Sequence, residues 1–371
     1  MNFSPREHVF MARALQLARR GLYTTQPNPR VGCLIVHHGR IVGEGWHQRA
    51  GQAHAEVYAL QQAGEQARGA EAYITLEPCL HYGRTPPCVD ALIAAGIRRV
   101  IVAMQDPNPP VAGQGLQALQ AAGIETAVGL LEQEARALNL GFLSAMERAR
   151  PFVRLKLAMS LDGRTAMADG TSQWISGEAA RKDVQYWRAQ AAAVLTGIGT
   201  VLQDDPGLNV RLKAESLGIT GEVRQPVRVV LDSHLRFPVQ ARMASLPGKT
   251  RVYTTQAANE CHQLLLQQGV EVIHLDAEQL ALKAVMQQLM QEQLYEVHVE
   301  AGASLAAALL EQGWVDELII YMAPHLMGSK ALPLLNLPLD NMQDRIALHI
   351  QEMRAIGQDW RIIAKPEYKK T

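Results

Sequence analysis

His54-Ala55-Glu56, followed by Thr75-Leu76-Glu77-Pro78-Cys79 and then by Cys88, sets three metal-type side chains where strands or loops are expected to enter helices. One His and two Cys make three ligands. Tetrahedral zinc with three protein ligands keeps its fourth position for water, which is the catalytic arrangement rather than the closed structural one. Zinc lowers the pKa of that water enough to supply hydroxide near neutral pH. Glu56, two residues beyond the His, is close enough to hydrogen-bond the water without ligating the metal. It can take a proton from the water, pass it to a ring nitrogen and then protonate the departing amine. Such chemistry is hydrolytic deamination. The general signature of zinc deaminases is H-x-E followed by P-C-x-x-C; here eight residues, Leu80 to Pro87, separate the two Cys.

Around this motif the first part of the chain alternates. Ser4-Pro5-Arg6-Glu7 offers a Ser cap, Pro at the first helical position and Glu at the third, with Phe10, Ala14 and Leu17 following at helical spacing. Short apolar runs at Val31 to Val36, Ala72 to Leu76, Val100 to Ala103 and Ile124 to Val128 predict strands. Helices are expected at Ala55 to Ala67, Val89 to Ala95 and Leu116 to Ala122, the last two stopped by Gly96 and Gly123. This is a three-layer α/β pattern. A helical stretch from about Glu132 runs to Arg148, and Pro151 disfavours helix in the residue before it. The basic residues change there too: positions 1 to 150 hold fourteen Arg and no Lys, and Lys156 is the first lysine. Two domains are therefore expected, 1–148 and 151–371.

The second part is also α/β. Strands are expected near Phe152 to Ser160, Ala193 to Gly197, Val227 to Asp232, Arg251 to Thr254, Val297 to Glu300 and Glu317 to Met322. Helices are expected at Gly177 to Gln190, Leu280 to Gln291 and Ser304 to Gln312. In the first strand Val153, Leu155, Leu157 and Met159 form one face and Arg154, Lys156, Ala158 and Ser160 the other. A lysine on a central strand is costly without a partner or ligand, so Lys156 is a functional candidate beside the simpler reading of a salt-bridged strand residue. Glu300-Ala301-Gly302 leads from strand to helix and can present backbone N–H groups to an anion, as can Leu195 to Thr200. Neither is G-x-G-x-x-G, so a Rossmann domain is not supported.

Composition bounds the partners. Lys+Arg and Asp+Glu both number 36, which leaves no positive field to gather polyanions, and no apolar run reaches the roughly 20 residues of a membrane span. A small-molecule substrate, no nucleic acid, no membrane and a cytoplasmic location are expected, with a homo-oligomer as the default assembly. Four Cys are too few to staple 371 residues. Cys33 and Cys261 read as buried apolar residues, and His8, His37 and His38 as surface residues. A structural zinc would need a fourth ligand, for which His47 or His81 is available.

The segment Thr75 to Cys88, with its insert between the two Cys, resembles the deaminase half of the bifunctional riboflavin-biosynthesis deaminase/reductase family. Pro27-Asn28-Pro29-Arg30-Val31-Gly32, Gln105-Asp106-Pro107-Asn108-Pro109, Lys156 to Gly170, Asp204-Asp205-Pro206 and Glu300-Ala301-Gly302 carry the resemblance along nearly the whole chain. Leu80 stands where that family commonly has Ser. The resemblance implies a cytidine-deaminase-like three-layer domain with zinc on His54, Cys79 and Cys88, and a dihydrofolate-reductase-like domain binding NADPH. It implies catalytic roles for Glu56, Lys156 and Asp204, and cofactor contacts at Ala158, Trp174, Thr200, Asp204 and Gly302. Substrate contacts are implied at Asn28, His81, Arg84, Ser172, Arg188, Leu208, Arg211 and Glu300. Asn28 also suits a turn, and Arg188 a helix surface. The implied reactions are removal of the 2-amino group from 2,5-diamino-6-(5-phosphoribosylamino)pyrimidin-4(3H)-one, then NADPH reduction of the ribosyl group to ribityl. Two rivals are a nucleic-acid base deaminase with an appended domain and a non-catalytic zinc-stabilised module.

Overall fold

The computed structural model describes residues 3–80, 87–109 and 111–369. It divides into two compact units, Met1–Arg150 with Gly218–Thr220, and Pro151–Leu217 with Gly221–Thr371.

The first unit runs α1 (Pro5–Arg19), β1 (Gly32–His37), β2 (Arg40–Trp46), α2 (Ala55–Ala63), β3 (Glu71–Ile74), α3 (Cys88–Ala94), β4 (Arg99–Val102), α4 (Gln114–Ala121), β5 (Glu125–Val128), α5 (Glu132–Leu138) and α6 (Leu140–Arg148). Helix α1 starts where its capping residues direct. Ser4 Oγ accepts from the Glu7 N–H at 3.3 Å while Glu7 Oε2 accepts from the Ser4 N–H at 2.7 Å. The sheet order is β2-β1-β3-β4-β5, with β1 antiparallel to β2 and β3, and β3, β4 and β5 parallel. Strand residues alternate between two cores. Cys33, Ile35, Ala72, Ile74, Val100 and Val102 pack with α2, α3 and α4, whereas Leu34, Val36, Tyr73 and Ile101 pack with α1, α5 and α6. The unit is three-layered, as the alternating pattern predicts.

Two departures have physical causes. Strand β2 was not expected, because Gly43 and Gly45 interrupt its sequence. A Cβ on Gly43 would lie 2.1 Å from the Ala59 carbonyl oxygen, and one on Gly45 2.1 Å from that of Ala55, so helix α2 requires bare backbone to pack against this strand. The helix expected from Glu132 to Arg148 breaks at Asn139, whose side-chain amide accepts from the Arg30 N–H at 2.8 Å and donates to the Arg30 carbonyl at 3.1 Å. The break pins the Asn28-Pro29-Arg30 loop from behind.

The second unit runs β6 (Phe152–Ser160), β7 (Arg164–Ala166), α7 (Glu178–Gln190), β8 (Ala193–Gly197), α8 (Ile198–Asp204), β9 (Val227–Leu231), α9 (Arg242–Ser245), β10 (Thr250–Thr254), α10 (Glu260–Gln267), β11 (Val270–His274), α11 (Leu282–Gln291), β12 (Glu296–Glu300), α12 (Ala303–Glu311), β13 (Glu317–Ala323), β14 (Leu332–Pro333), β15 (Ala347–Ile356) and β16 (Asp359–Glu367). Nine strands form one sheet in the order β11-β10-β9-β8-β12-β6-β13-β16-β15. The central pairs β8–β12, β12–β6 and β6–β13 are parallel, so their C-terminal ends open on one edge. Val153, Leu155 and Leu157 face a core with α11 and α12, as expected. The opposite face is not solvated: α7 covers it, and Arg154, 3% exposed, is paired with Glu317 at 2.5 Å beneath that helix. Strands β15 and β16 were not anticipated either, because nine of ten residues in β15 are exposed and show no buried alternation.

Candidate functional sites

In the first unit His54 caps the start of α2, Cys79 follows the end of β3 and Cys88 opens α3. Their ligand atoms all lie within 4.8 Å of one another, and among the described residues they form the one His/Cys/Asp/Glu group that could hold a metal. His54 presents Nδ1, 3.2 Å from Cys88 Sγ and 3.5 Å from Cys79 Sγ. Cys79 Sγ also accepts from the Cys88 backbone N–H at 3.4 Å. Hydrogen bonding from Cys88 and His54 holds the Cys79 thiol far below its usual range, while the proton shared with Cys79, together with burial, holds that of Cys88 far above. An imidazole nitrogen and two cysteine sulfurs in this geometry are the donor set of a zinc site, where both cysteines would ligate as thiolates.

Glu56 lies one helical residue beyond Ala55, 3% exposed. Burial raises its carboxyl pKa against the opposing field of His54, and Oε2 has no hydrogen-bond partner among the described residues. An unpartnered carboxylate oxygen beside a three-ligand set suits a water-handling role. His47 is not a fourth ligand. Its Nε2 accepts from Asn28 Nδ2 at 3.1 Å and its Nδ1–H donates to the Ala53 carbonyl at 3.0 Å, which fixes a neutral ring. Burial pushes its pKa down accordingly. Asn28 is thus brought beside the cluster through His47, whose ring centroid is 5.6 Å from that of His54. Sequence reasoning gave His47 no such bridging place. His81 and Arg84 lie outside the described residues. Cys33 is buried in β1 and Cys261 is partly buried, and neither is a member of the cluster.

In the second unit a cavity of about 780 Å³ opens toward the C-terminal ends of β6 and β12, beside α7 and α8, where ligands bind in open α/β sheets. Eleven expected residues line it. Lys156 and Ala158 come from β6, Arg188 from α7, Thr200 and Asp204 from α8, and Glu300 and Gly302 from the turn into α12. Ser172, Trp174, Leu208 and Arg211 come from loops. They span 147 positions from first to last, and the fold brings all of them together. A Cβ on Gly302 would meet only Thr200 Oγ1, at 4.0 Å, so no protein contact demands glycine there and the backbone stays open to a ligand. Ser172 hydrogen-bonds the Asp204 carboxylate, whose pKa burial nonetheless raises.

Lys156 has no carboxylate within ion-pair distance among the described residues, so the reading of a salt-bridged strand lysine does not hold. Burial lowers its pKa, while Glu300 raises it and Arg188 lowers it. Arg188 is not a helix-surface charge. It is 8% exposed and donates from Nε and Nη2 to Glu300 at 2.5 and 2.9 Å, and from Nη1 to the Asn209 carbonyl at 3.2 Å. Its fork is spent on a carboxylate rather than open to a phosphate. Among the lining residues that sequence reasoning missed are two arginines, Arg181 and Arg242. Arg181 lies 4.6 Å over the Trp174 ring, and neither residue sits in a pattern that periodicity could reveal.

Comparison with known proteins identifies the family of both units. Residues 5–104 match the cytidine and deoxycytidylate deaminase zinc-binding region, and residues 151–362 match the RibD C-terminal domain. The riboflavin biosynthesis protein RibD of Escherichia coli is 51% identical over 364 residues, covering 95% of this chain and 97% of that one. That of Haemophilus influenzae is 47% identical, covering 99% of each. The structure of Acinetobacter baumannii RibD superposes with TM-score 0.90 at 47% identity over 98% of this chain and 99% of its own. A Thermotoga maritima deaminase/reductase superposes with TM-score 0.87 at 33% identity, over 97% and 99%. The first unit therefore has a cytidine-deaminase-like fold and the second a dihydrofolate-reductase-like one, and the chain belongs to the RibD family of bifunctional riboflavin-biosynthesis proteins.

Proposed function

We propose that residues 1–148 deaminate 2,5-diamino-6-(5-phosphoribosylamino)pyrimidin-4(3H)-one and residues 151–371 reduce the ribosyl group of the deaminated product with NADPH. Membership of the family makes the chain a bifunctional deaminase and reductase of riboflavin biosynthesis, with zinc and NADPH as its cofactors. The observation that carries the division of labour is the pair of separate constellations: a His/Cys/Cys cluster with Glu56 in one unit and an open, cation-lined cavity in the other. The relatives give the nucleic-acid deaminase reading no support, and Glu56 with its unpartnered Oε2 counts against a purely structural metal.

His54 Nδ1 and the sulfurs of Cys79 and Cys88 would hold the zinc. Bound there, the metal supplies a water acidic enough to react near neutral pH. Glu56 takes one proton from the attacking water and delivers it to the ring nitrogen, then takes the remaining hydroxyl proton of the tetrahedral adduct and delivers it to the leaving amine; its raised pKa suits a group that must both accept and return protons. Asn28, held by His47, contacts the ring, and His81 and Arg84 are assigned to the same substrate. In the cavity, Ala158, Trp174, Thr200, Asp204 and Gly302 would hold NADPH, which supplies the hydride. Lys156, with Glu300 and Asp204 nearby, holds the sugar hydroxyls and assists proton transfer to the oxygen released as the ribosyl ring opens. Ser172, Leu208 and Arg211 complete the substrate side, and Arg188 acts there through the Glu300 carboxylate that it holds.

No helix among the described residues is long and apolar enough to cross a membrane; a cytoplasmic location fits this. A homo-oligomer is supported by edge strand β15, where Leu348, Ile350 and Met353 are 45%, 57% and 52% exposed, a surface that a second copy would cover. Light scattering that finds only monomer at micromolar concentration would contradict it. Ammonia release and NADPH oxidation, followed together from the diaminopyrimidine phosphate, test the main reading; absence of either refutes it.

A further inference from the structure

Lys156 leaves β6 on the face that α7 covers, with no hydrogen-bond partner for its ammonium group among the described residues. A lysine head on a four-carbon stem is mobile unless something fixes it. What Lys156 does meet is an aromatic face: its Nζ lies over the ring of Tyr321, 6.0 Å from the centroid. The pairing of β6 with β13 explains the meeting. Tyr321 stands opposite Ala158, two positions beyond Lys156 on the same face of the sheet, so only a methyl group stands beside the ring and the longer lysine reaches it. The other charged or titratable groups around the ammonium are Glu300 and His298 on β12 and Arg188 on α7.

The ring is itself held at its far end. Tyr321 is buried, and its hydroxyl donates to Asp183 Oδ2 at 2.5 Å while accepting from Trp187 Nε1 at 3.1 Å. Asp183 and Trp187 lie one turn apart on α7, so a single helix face supplies both contacts. The same carboxylate oxygen accepts from Arg361 Nη1 of β16 at 2.8 Å, and Arg361 Nη2 pairs with Glu352 of β15. Burial, then the hydrogen bond to Asp183, hold the phenol far above its ordinary titration range, so it stays neutral. A neutral phenol donating to a carboxylate gains electron density in its ring, which strengthens the attraction of the face for a cation.

We propose that Tyr321 is a positioning residue of the reductase reaction: its ring face fixes the Lys156 ammonium group in the cavity, and the bonds from Asp183 and Trp187 fix the ring. The inference rests on the role given to Lys156 above, in which the ammonium group holds the sugar hydroxyls and assists proton transfer. Tyr321 acts only through Lys156 and is not itself among the residues that line the cavity.

The test replaces Tyr321 in the full chain by Phe, by pentafluorophenylalanine and by Leu, with thermal melting to confirm folding, and follows NADPH oxidation with the aminouracil phosphate across pH. Phe keeps the ring face, pentafluorophenylalanine keeps the ring shape but inverts its charge distribution, and Leu removes the ring. We expect Tyr321→Phe to keep kcat within about threefold, whereas the fluorinated and Leu variants lose about tenfold, the order of a lost cation–π contact. KM for NADPH should change by no more than about twofold in all three, because the cofactor contacts are untouched. An aromatic face favours the charged form of the lysine, so losing it lowers the Lys156 pKa. The alkaline limb of the kcat profile should therefore move down by about half a pH unit in the fluorinated and Leu variants and stay in place in the Phe variant. Equal rates and equal limbs for Phe and pentafluorophenylalanine overturn the proposal, and that isosteric comparison decides alone if the Leu variant does not fold. A Phe variant as impaired as the Leu variant, with no limb moved, overturns it too, since the hydroxyl network would then act on the fold alone. Lys156→Ala in parallel separates the two layers of argument. If reduction survives it, the role of Lys156 fails; if reduction falls while every Tyr321 variant matches the unsubstituted protein, the Tyr321 inference alone fails.

Discussion

The two sites are assembled on comparable three-layer sheets but by opposite strategies. The metal-type site gathers His54, Glu56, Cys79 and Cys88 from 35 consecutive positions, at the starts of α2 and α3 and the end of β3, with its ligand atoms within 4.8 Å. The cavity site draws eleven expected residues from β6, α7, α8, β12, α12 and intervening loops around about 780 Å³. The compact site depends on the chemistry of very few atoms. The dispersed one depends on many weak contacts and on the charge balance of a covered sheet face. Single substitutions should therefore act in an all-or-none manner at the first and in a graded manner at the second.

The largest effect is expected at the ligands. Cys79→Ala or Cys88→Ala should lower zinc from about one per chain to near zero and abolish ammonia release, while reduction of the already deaminated substrate persists. Metal analysis checks this; full zinc retention in both variants would reject the ligand set. Glu300→Gln comes next. It leaves Arg188 buried without its carboxylate, and breaking such a pair costs about 3 kcal/mol or more. Urea unfolding of this variant should begin earlier in the second unit, and reduction should fall. An unchanged midpoint would show that the pair is not needed to hold α7 on the sheet.

The smallest expected effect is conditional on pH. His298, on β12 beneath α7, is wholly buried, and its ring nitrogens have no hydrogen-bond partner among the described residues. Burial leads in depressing its pKa to about 3, with Glu300 opposing and Arg154, Arg188 and Lys156 adding to the depression. A group depressed on folding contributes stability that is present above its unfolded value of 6.5 and is lost as pH falls toward 3. His298→Leu should therefore flatten the decline in unfolding midpoint between pH 6.5 and 4 and change little at pH 8. An unaltered slope would show that His298 is not the titrating group.

The same contrast explains what could be read in advance. His54, Glu56, Cys79 and Cys88 were legible because spacing alone expresses their chemistry. Of the cavity residues Lys156 announced itself through the alternation of β6, and Glu300, Gly302 and Thr200 through the strand-to-helix turns that hold them; the others came from family resemblance, because no local pattern links Ser172 to Arg211. Arg242 escaped both routes, since its place at the cavity depends on a backbone hydrogen bond to Asp205, 37 positions away, that no local pattern announces. Fold elements failed where tertiary contacts override local signals: Gly43 and Gly45 hide β2, Asn139 breaks the long helix to hold Arg30, and α7 buries the face of β6 that Arg154 marks as polar.

The most direct measurement pairs one substitution at each site and follows both reactions. Glu56→Gln should retain zinc, lose ammonia release by at least ~100-fold and still oxidise NADPH when supplied with the deaminated aminouracil phosphate. Lys156→Ala should release ammonia at nearly the unsubstituted rate while NADPH oxidation falls by on the order of 100-fold. Equal damage to both reactions in either variant, with the protein folded, would contradict the assignment of one chemistry to each unit.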